Sequence, residues 1–157
     1  NLATGERFEA VRGAGARRDG RPMAPSTATE VAEAMVGLSG YPPRWFGWHQ
    51  YRALGAAALD MCSVGAGRLD AYVDCSRNAH GVWDYAAACL ICTEAGAVVA
   101  DAHGRDLLVL EHDARRTPVA AATPALLAAV VDARNAAVGD APVPPGRVPA
   151  PGPVNPS

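Results

Sequence analysis

The sequence predicts an α/β fold with a mixed sheet and flanking helices. Short apolar segments such as Leu69–Val73 and Val119–Ala122 alternate with longer small-residue stretches at helical spacing, the pattern of strands separated by helices. Thr123-Pro124 is a strong helix start, an N-cap followed by proline at the first helical position. Gly65 and Gly96 stand where such helices should stop.

The elements follow in order. Glu6–Arg12 alternates with Phe8 and Ala10 on one face, Gly13 and Gly15 turn the chain, and Ala16–Arg18 pairs back, with Asp19-Gly20 as a further turn. Ser26 or Thr27 caps a helix over Ala28–Leu38, because Glu30 stands three residues after Thr27 as in a capping box. Gly40 and Pro42-Pro43 end it. Trp45–Tyr51 reads as a short strand, Gly55–Val64 as a helix and Leu69–Val73 as a strand. A loop runs from Asp74 to Val82, and Trp83-Asp84 opens a helix through Ala95. Ala97–Ala100 and Val119–Ala122 are strands around a polar turn at Asp101–Gly104, and the last helix runs from Pro124 to Ala137. The expected partition is a hairpin unit over 1–24, an α/β domain over 25–139 and a disordered tail over 140–157, where seven of the thirteen prolines fall.

Composition excludes several classes. A net charge of −2 leaves no basic footprint for nucleic acid or acidic membranes. No apolar run approaches the ~18 residues of a membrane span, and no signal peptide is visible. All fourteen basic residues are Arg and none is Lys, which with abundant Ala is the mark of a GC-rich bacterial genome. Cys62, Cys75, Cys89 and Cys92 have no second C-x-x-C pair. They read as buried free thiols in a reducing cytoplasm.

The most informative stretch is Gly81-Val82-Trp83-Asp84-Tyr85-Ala86-Ala87-Ala88, running on to Thr93-Glu94-Ala95-Gly96. Asp84 stands between a bulky anchor, Trp83, and a small-residue helix. That position suits two roles, capping the helix or holding a metal ion. Upstream come Arg52-Ala53-Leu54-Gly55-Ala56-Ala57-Ala58-Leu59-Asp60 and Gly67-Arg68-Leu69-Asp70-Ala71-Tyr72-Val73. Together these segments resemble the C-terminal half of the inositol monophosphatase family, whose pattern is roughly R-x-x-G-[ST]-A-A, G-x-x-D-[AG]-Y, W-D-x-A-[AG] and E-A-G-[GA]. Gly5–Ala16 resembles the strand–turn segment that precedes this half.

The resemblance implies the C-terminal half of a layered αβαβα sugar-phosphatase fold, with residues 1–24 belonging to the family's first-domain sheet. It implies hydrolysis of phosphate monoesters with Mg²⁺, most simply inositol monophosphate. Histidinol phosphate, fructose bisphosphate and nucleotide 3′-phosphates stay open within the wider superfamily. It makes Asp84 a metal ligand, and it makes Gly55, Ala56 and Ala57 part of a substrate pocket through their backbone N–H groups, since Ala56 stands where the family often has Ser or Thr. It makes Asp74 the acceptor for a substrate hydroxyl. Partners would be a small phosphorylated polyol or sugar and a second copy in a homodimer, with no nucleic acid and no membrane.

The family's other metal ligands come from an upstream Glu and a D-P-[IL]-D-G-[ST] motif, and the only Asp-Gly here is Asp19-Gly20. The expectation is a chain that supplies one corner of the metal site and is inactive alone. The alternatives are a non-catalytic folding or dimerisation module, or half of a split enzyme. His80, in the loop after Asp74, reads as a surface residue rather than a general base, and Glu94 as a hydrogen-bonding residue near the helix end.

Overall fold

The computed structural model describes residues 1–139. Strands β1 (Phe8–Ala10), β2 (Ala16–Arg18) and β3 (Arg21–Pro22) form a small antiparallel sheet in the order β1-β2-β3. Five further strands are β4 (Met35–Ser39), β5 (Gln50–Arg52), β6 (Ala71–Asp74), β7 (Val98–Asp101) and β8 (Pro118–Ala121). They form a mixed sheet in the order β5-β4-β6-β8-β7. The pairs β5-β4 and β4-β6 are parallel, whereas β6-β8 and β8-β7 are antiparallel.

Helices α1 (Ala57–Gly65) and α2 (Ala86–Ala95) lie between the two sheets, and α3 (Pro124–Val138) covers the far face of the larger one. The central strands are buried on both faces, and their side chains alternate between two cores. Tyr72 and Ala120 pack with Met61, Cys92 and Ile91 of the helix layer. Ala71, Val73, Val119 and Ala121 pack with Leu126 and Val130 of α3. Phe8, Ala10 and Ala16 of the small sheet join the first core. The result is a β-α-β-α stack, the α/β class expected.

Two expected elements are corrected. The segment 28–38 is not a helix: only Val31–Glu33 forms a 3₁₀ turn, and Met35–Ser39 is the buried strand β4. The cause is parallel pairing with β5 and β6, with Asp70 bonding the first residue: it accepts from Met35 N–H at 2.8 Å and its own N–H donates to Met35 O at 2.8 Å. Ser26 Oγ donates to Asp70 instead of capping a helix. Second, the stretch 45–51 is strand only from Gln50. Before it, Trp45, Phe46 and Trp48 form an edge-on aromatic cluster.

Elsewhere the local signals agree with the structure. Thr123 Oγ1 caps α3 by accepting from Leu126 N–H at 3.2 Å. Gly96 ends α2 in the left-handed region, φ 97°, where a Cβ would be strained. The Glu94 carboxylate accepts from Gly13 N–H at 2.9 Å and Gly15 N–H at 3.0 Å, tying α2 to the hairpin. Those bonds hold its acid form below the usual carboxylate range. The proposed tail, 140–157, lies outside the described residues. No described helix is long and apolar enough to cross a membrane.

Candidate active site

The site forms where parallel strands β4 and β6 end side by side. Ser39 and Asp74 are register partners at these ends, and the C-terminal edge of a parallel pair is where α/β sheets bind ligands. The two ends approach so closely that a Cβ on Gly40 (φ 71°) would lie 2.5 Å from Ser76 N, so only glycine fits there.

Asp74 is fully buried. Its Oδ1 accepts from Ser76 N–H at 2.8 Å and from the Ser76 hydroxyl, an Asx turn that launches the following loop. No hydrogen-bond donor meets its Oδ2 among the described residues. That oxygen faces His80 Nε2 at 3.5 Å, a charge contact rather than a hydrogen bond. Below the loop, buried Arg134 of α3 donates from Nε to Asp74 O at 3.1 Å and from Nη2 to Ser76 O at 2.9 Å. The helix that looks remote in sequence thus fixes the backbone that carries Asp74.

His80 is the centre of the arrangement. Its side chain is 16% exposed. Its backbone pairs with Arg116 in an isolated bridge, with Arg116 N–H donating to His80 O at 2.9 Å. Nε2 lies 3.3 Å from Ser39 Oγ, and Nδ1 lies 3.6 Å from Asp84 Oδ2. The contact with the Asp74 carboxylate raises the imidazole's pKa above its usual value, burial opposes this, and the Asp74 and Asp84 charges add to the rise.

Asp84 ends a 3₁₀ turn, Val82–Asp84, and does not cap α2, whose N-cap is Tyr85 with no side-chain cap. The capping role expected of Asp84 is therefore corrected. Its Oδ2 instead reaches back to accept from Gly81 N–H at 3.0 Å. The side chain is 39% exposed, and no donor among the described residues meets Oδ1. Trp83, expected to anchor the helix, packs at the surface. It is 55% exposed, stacks on His112 at 5.0 Å and lies under the Arg115 guanidinium at 5.0 Å.

Gly55, Ala56 and Ala57 lie at the N-terminus of α1, with Gly55 at φ 83° and Ala56 as an extended N-cap that offers no side-chain acceptor. The first N–H groups of α1 are left for an anion or hydroxyl by the ordinary logic of helix ends. No side-chain hydrogen bond or ion pair links these three residues to Asp74, His80 or Asp84 among the described residues.

The residues fit magnesium at one point. A half-exposed carboxylate held at one oxygen and open at the other, as in Asp84, is a suitable hard ligand. Among the described residues no group of three or more His, Cys, Asp and Glu side chains could hold a metal ion. The cysteines offer no alternative centre. All four are free and buried, and burial pushes Cys62 and Cys89 up to about 11 and Cys75 up to about 12, with Cys92 also raised.

Sequence reasoning missed the contributions of Ser39, His80 and Arg134. For His80 the signal was present, four residues before Asp84 and six after Asp74. Ser39 and Arg134 join the site only through β pairing and helix packing, which no local pattern records.

Comparisons with known proteins identify the family and the fold. The inositol monophosphatase family model matches residues 1–138. A bifunctional NADP phosphatase/NAD kinase of Methanocaldococcus jannaschii is 33% identical over 129 residues, covering 74% of this chain and 22% of that protein. Inositol monophosphatase 1 of Solanum lycopersicum is 30% identical over 143 residues, covering 82% of this chain and 50% of that protein. Among solved structures, a hypothetical protein of Pyrococcus horikoshii with similarities to inositol-1 monophosphatase superposes with a TM-score of 0.72 at 26% identity, covering 83% of this chain and 53% of that one. The chain therefore spans about half the length of such relatives, or less. The family model covers nearly all of the described residues, and the chain belongs to the inositol monophosphatase family.

Proposed function

We propose that this chain forms the C-terminal half of a magnesium-dependent phosphate monoester hydrolase acting on a small phosphorylated polyol, most simply inositol monophosphate. The observation that carries this is the line Asp74–His80–Asp84 at the ends of β4 and β6, with one carboxylate buried and one open. Asp84 would hold the metal through its open oxygen. The metal, when bound, supplies polarisation of the phosphate and activation of water.

The remaining roles belong to this chain's own groups. Asp74 Oδ2, fully buried behind His80 and without a hydrogen-bond donor among the described residues, would accept from a sugar hydroxyl once His80 turns aside. The N–H groups at Gly55–Ala57 would orient a second hydroxyl or a phosphate oxygen. His80 holds the two carboxylates in register across the loop. Relatives named as an NADP phosphatase/NAD kinase and as an inositol monophosphatase support a phosphate ester as the substrate.

A second reading is supported by the single open carboxylate: these residues complete a site whose other ligands lie outside the sequence. One carboxylate holds magnesium weakly, because the ion sheds water reluctantly. The 157-residue chain alone should then release no phosphate from inositol monophosphate with Mg²⁺. Adding a family N-terminal segment that carries D-P-[IL]-D-G-[ST] should produce activity. In that assembled enzyme, Asp74→Asn should raise KM for inositol monophosphate and leave KM for p-nitrophenyl phosphate, which has no polyol hydroxyls, unchanged. Equal effects on both substrates would count against Asp74 as a hydroxyl acceptor.

A further inference from the structure

The loop between β4 and β5 has no part in the phosphatase reading, yet it builds a defined surface. Tyr41, Pro43, Arg44, Trp45, Trp48 and Tyr51 line a groove of about 410 Å³ beside the edge strand β5. Tyr41 is 92% exposed, Trp45 68% and Tyr51 56%. The rings of Trp45 and Tyr51 are nonetheless held in place. Trp45 Nε1 donates to Trp48 O at 3.0 Å, and buried Trp48 meets Phe46 edge-on at 4.4 Å and Tyr51 at 5.9 Å. Trp45 and Trp48 stand at 82° to each other, and Trp48 and Tyr51 at 65°. Steeply set aromatic rings form slots of the kind that receive polyproline II segments, which bind with little loss of entropy because the helix is already stiff.

The end of α3 stands at the same place. Arg44, in the wall of the groove, donates from Nη2 to Ala136 O at 2.7 Å, in the last turn of a helix that ends at Val138. The chain continues beyond the described residues with Pro142, Pro144, Pro145, Pro149, Pro151 and Pro153. Pro142 follows Gly139 by three residues, which span at most ~10 Å, so the first of these prolines is within reach of the groove. A tether this short also gives a local concentration in the millimolar range, enough for a contact that would be weak between separate molecules.

We propose that the proline-rich segment Pro142–Pro153 of this chain docks in cis into the groove lined by Tyr41, Trp45 and Tyr51. The groove is also bounded by Leu38 and Gly40, on either side of Ser39, so a docked segment would lie beside the candidate active site. This inference does not depend on the phosphatase reading and fails or stands separately from it.

The test compares the Trp45 indole N–H resonance in the full chain and in a chain ending at Gly139. The expected result is a shifted resonance on truncation, reversed saturably by a synthetic peptide of residues 140–157. In the full chain, replacing Pro142, Pro144 and Pro145 by Ser should reproduce the truncated spectrum. The Ser replacements leave every described residue untouched, so a folding defect cannot account for their effect. An identical resonance in full and truncated chains overturns the proposal. So does a shift that grows with protein concentration, since that would place a second copy in the groove.

Discussion

His80 and Asp74 face each other at 3.5 Å, Nε2 to Oδ2, across the loop that leaves β6. Among the described residues Asp74 has no other partner for that oxygen, and it is fully buried. A buried carboxylate oxygen without a partner costs much more than an exposed one.

His80→Ala should therefore destabilise the protein by about 2 kcal/mol, largely by stranding Asp74. Asp74→Asn in the same background should recover part of that loss. A double-mutant cycle by urea denaturation checks this, and additive effects would mean that the contact carries no energy.

Asp60 predicts a pH dependence. It lies buried in the first turn of α1, neither carboxylate oxygen has a hydrogen-bond partner among the described residues, and burial pushes its pKa up from 3.8 to about 6. The folded state thus holds its proton more tightly than the unfolded chain. Below about pH 4 both states are protonated and no cost arises. Between about pH 4 and 6 the unfolded state alone ionises, so stability falls, by roughly 3 kcal/mol in all, and above pH 6 the cost is constant. Asp60→Asn should remove this slope and raise the urea midpoint at pH 8 relative to the unaltered chain. Parallel pH profiles for the two proteins would contradict the assignment.

The thiols should be inert in the folded protein. A thiolate is the reactive species, and burial raises all four cysteines. Ellman's reagent should label none in native buffer and all four in denaturant. Fast native labelling of Cys89 and Cys92 would point instead to an accessible redox pair.

Much of this architecture was legible in the sequence, and the exceptions share a cause. The Thr123-Pro124 start of α3 and the Gly96 stop of α2 are local signals, and both hold. The strand β4 was hidden because Thr27 and Glu30 imitate a capping box and Met35–Ser39 is too short to show a period. What holds it as a strand is parallel pairing with β5 and β6, with Asp70, 35 residues away, bonding its first residue. The site divides in the same way. Of the residues proposed for it, Asp84 stands in the Trp83-Asp84 motif and Asp74 follows the Gly67–Val73 segment directly, whereas Ser39, His80 and Arg134 acquire meaning only when β4, the loop and α3 meet.

The most direct measurement is magnesium-dependent phosphate release from inositol monophosphate by this chain assembled with an N-terminal family segment, with and without Asp84→Asn. Loss of a metal ligand should lower activity by at least ~100-fold, with folding unchanged because the Asp84 side chain is part-exposed. Activity that survives Asp84→Asn would contradict the assignment of Asp84 as the metal-holding residue of this half.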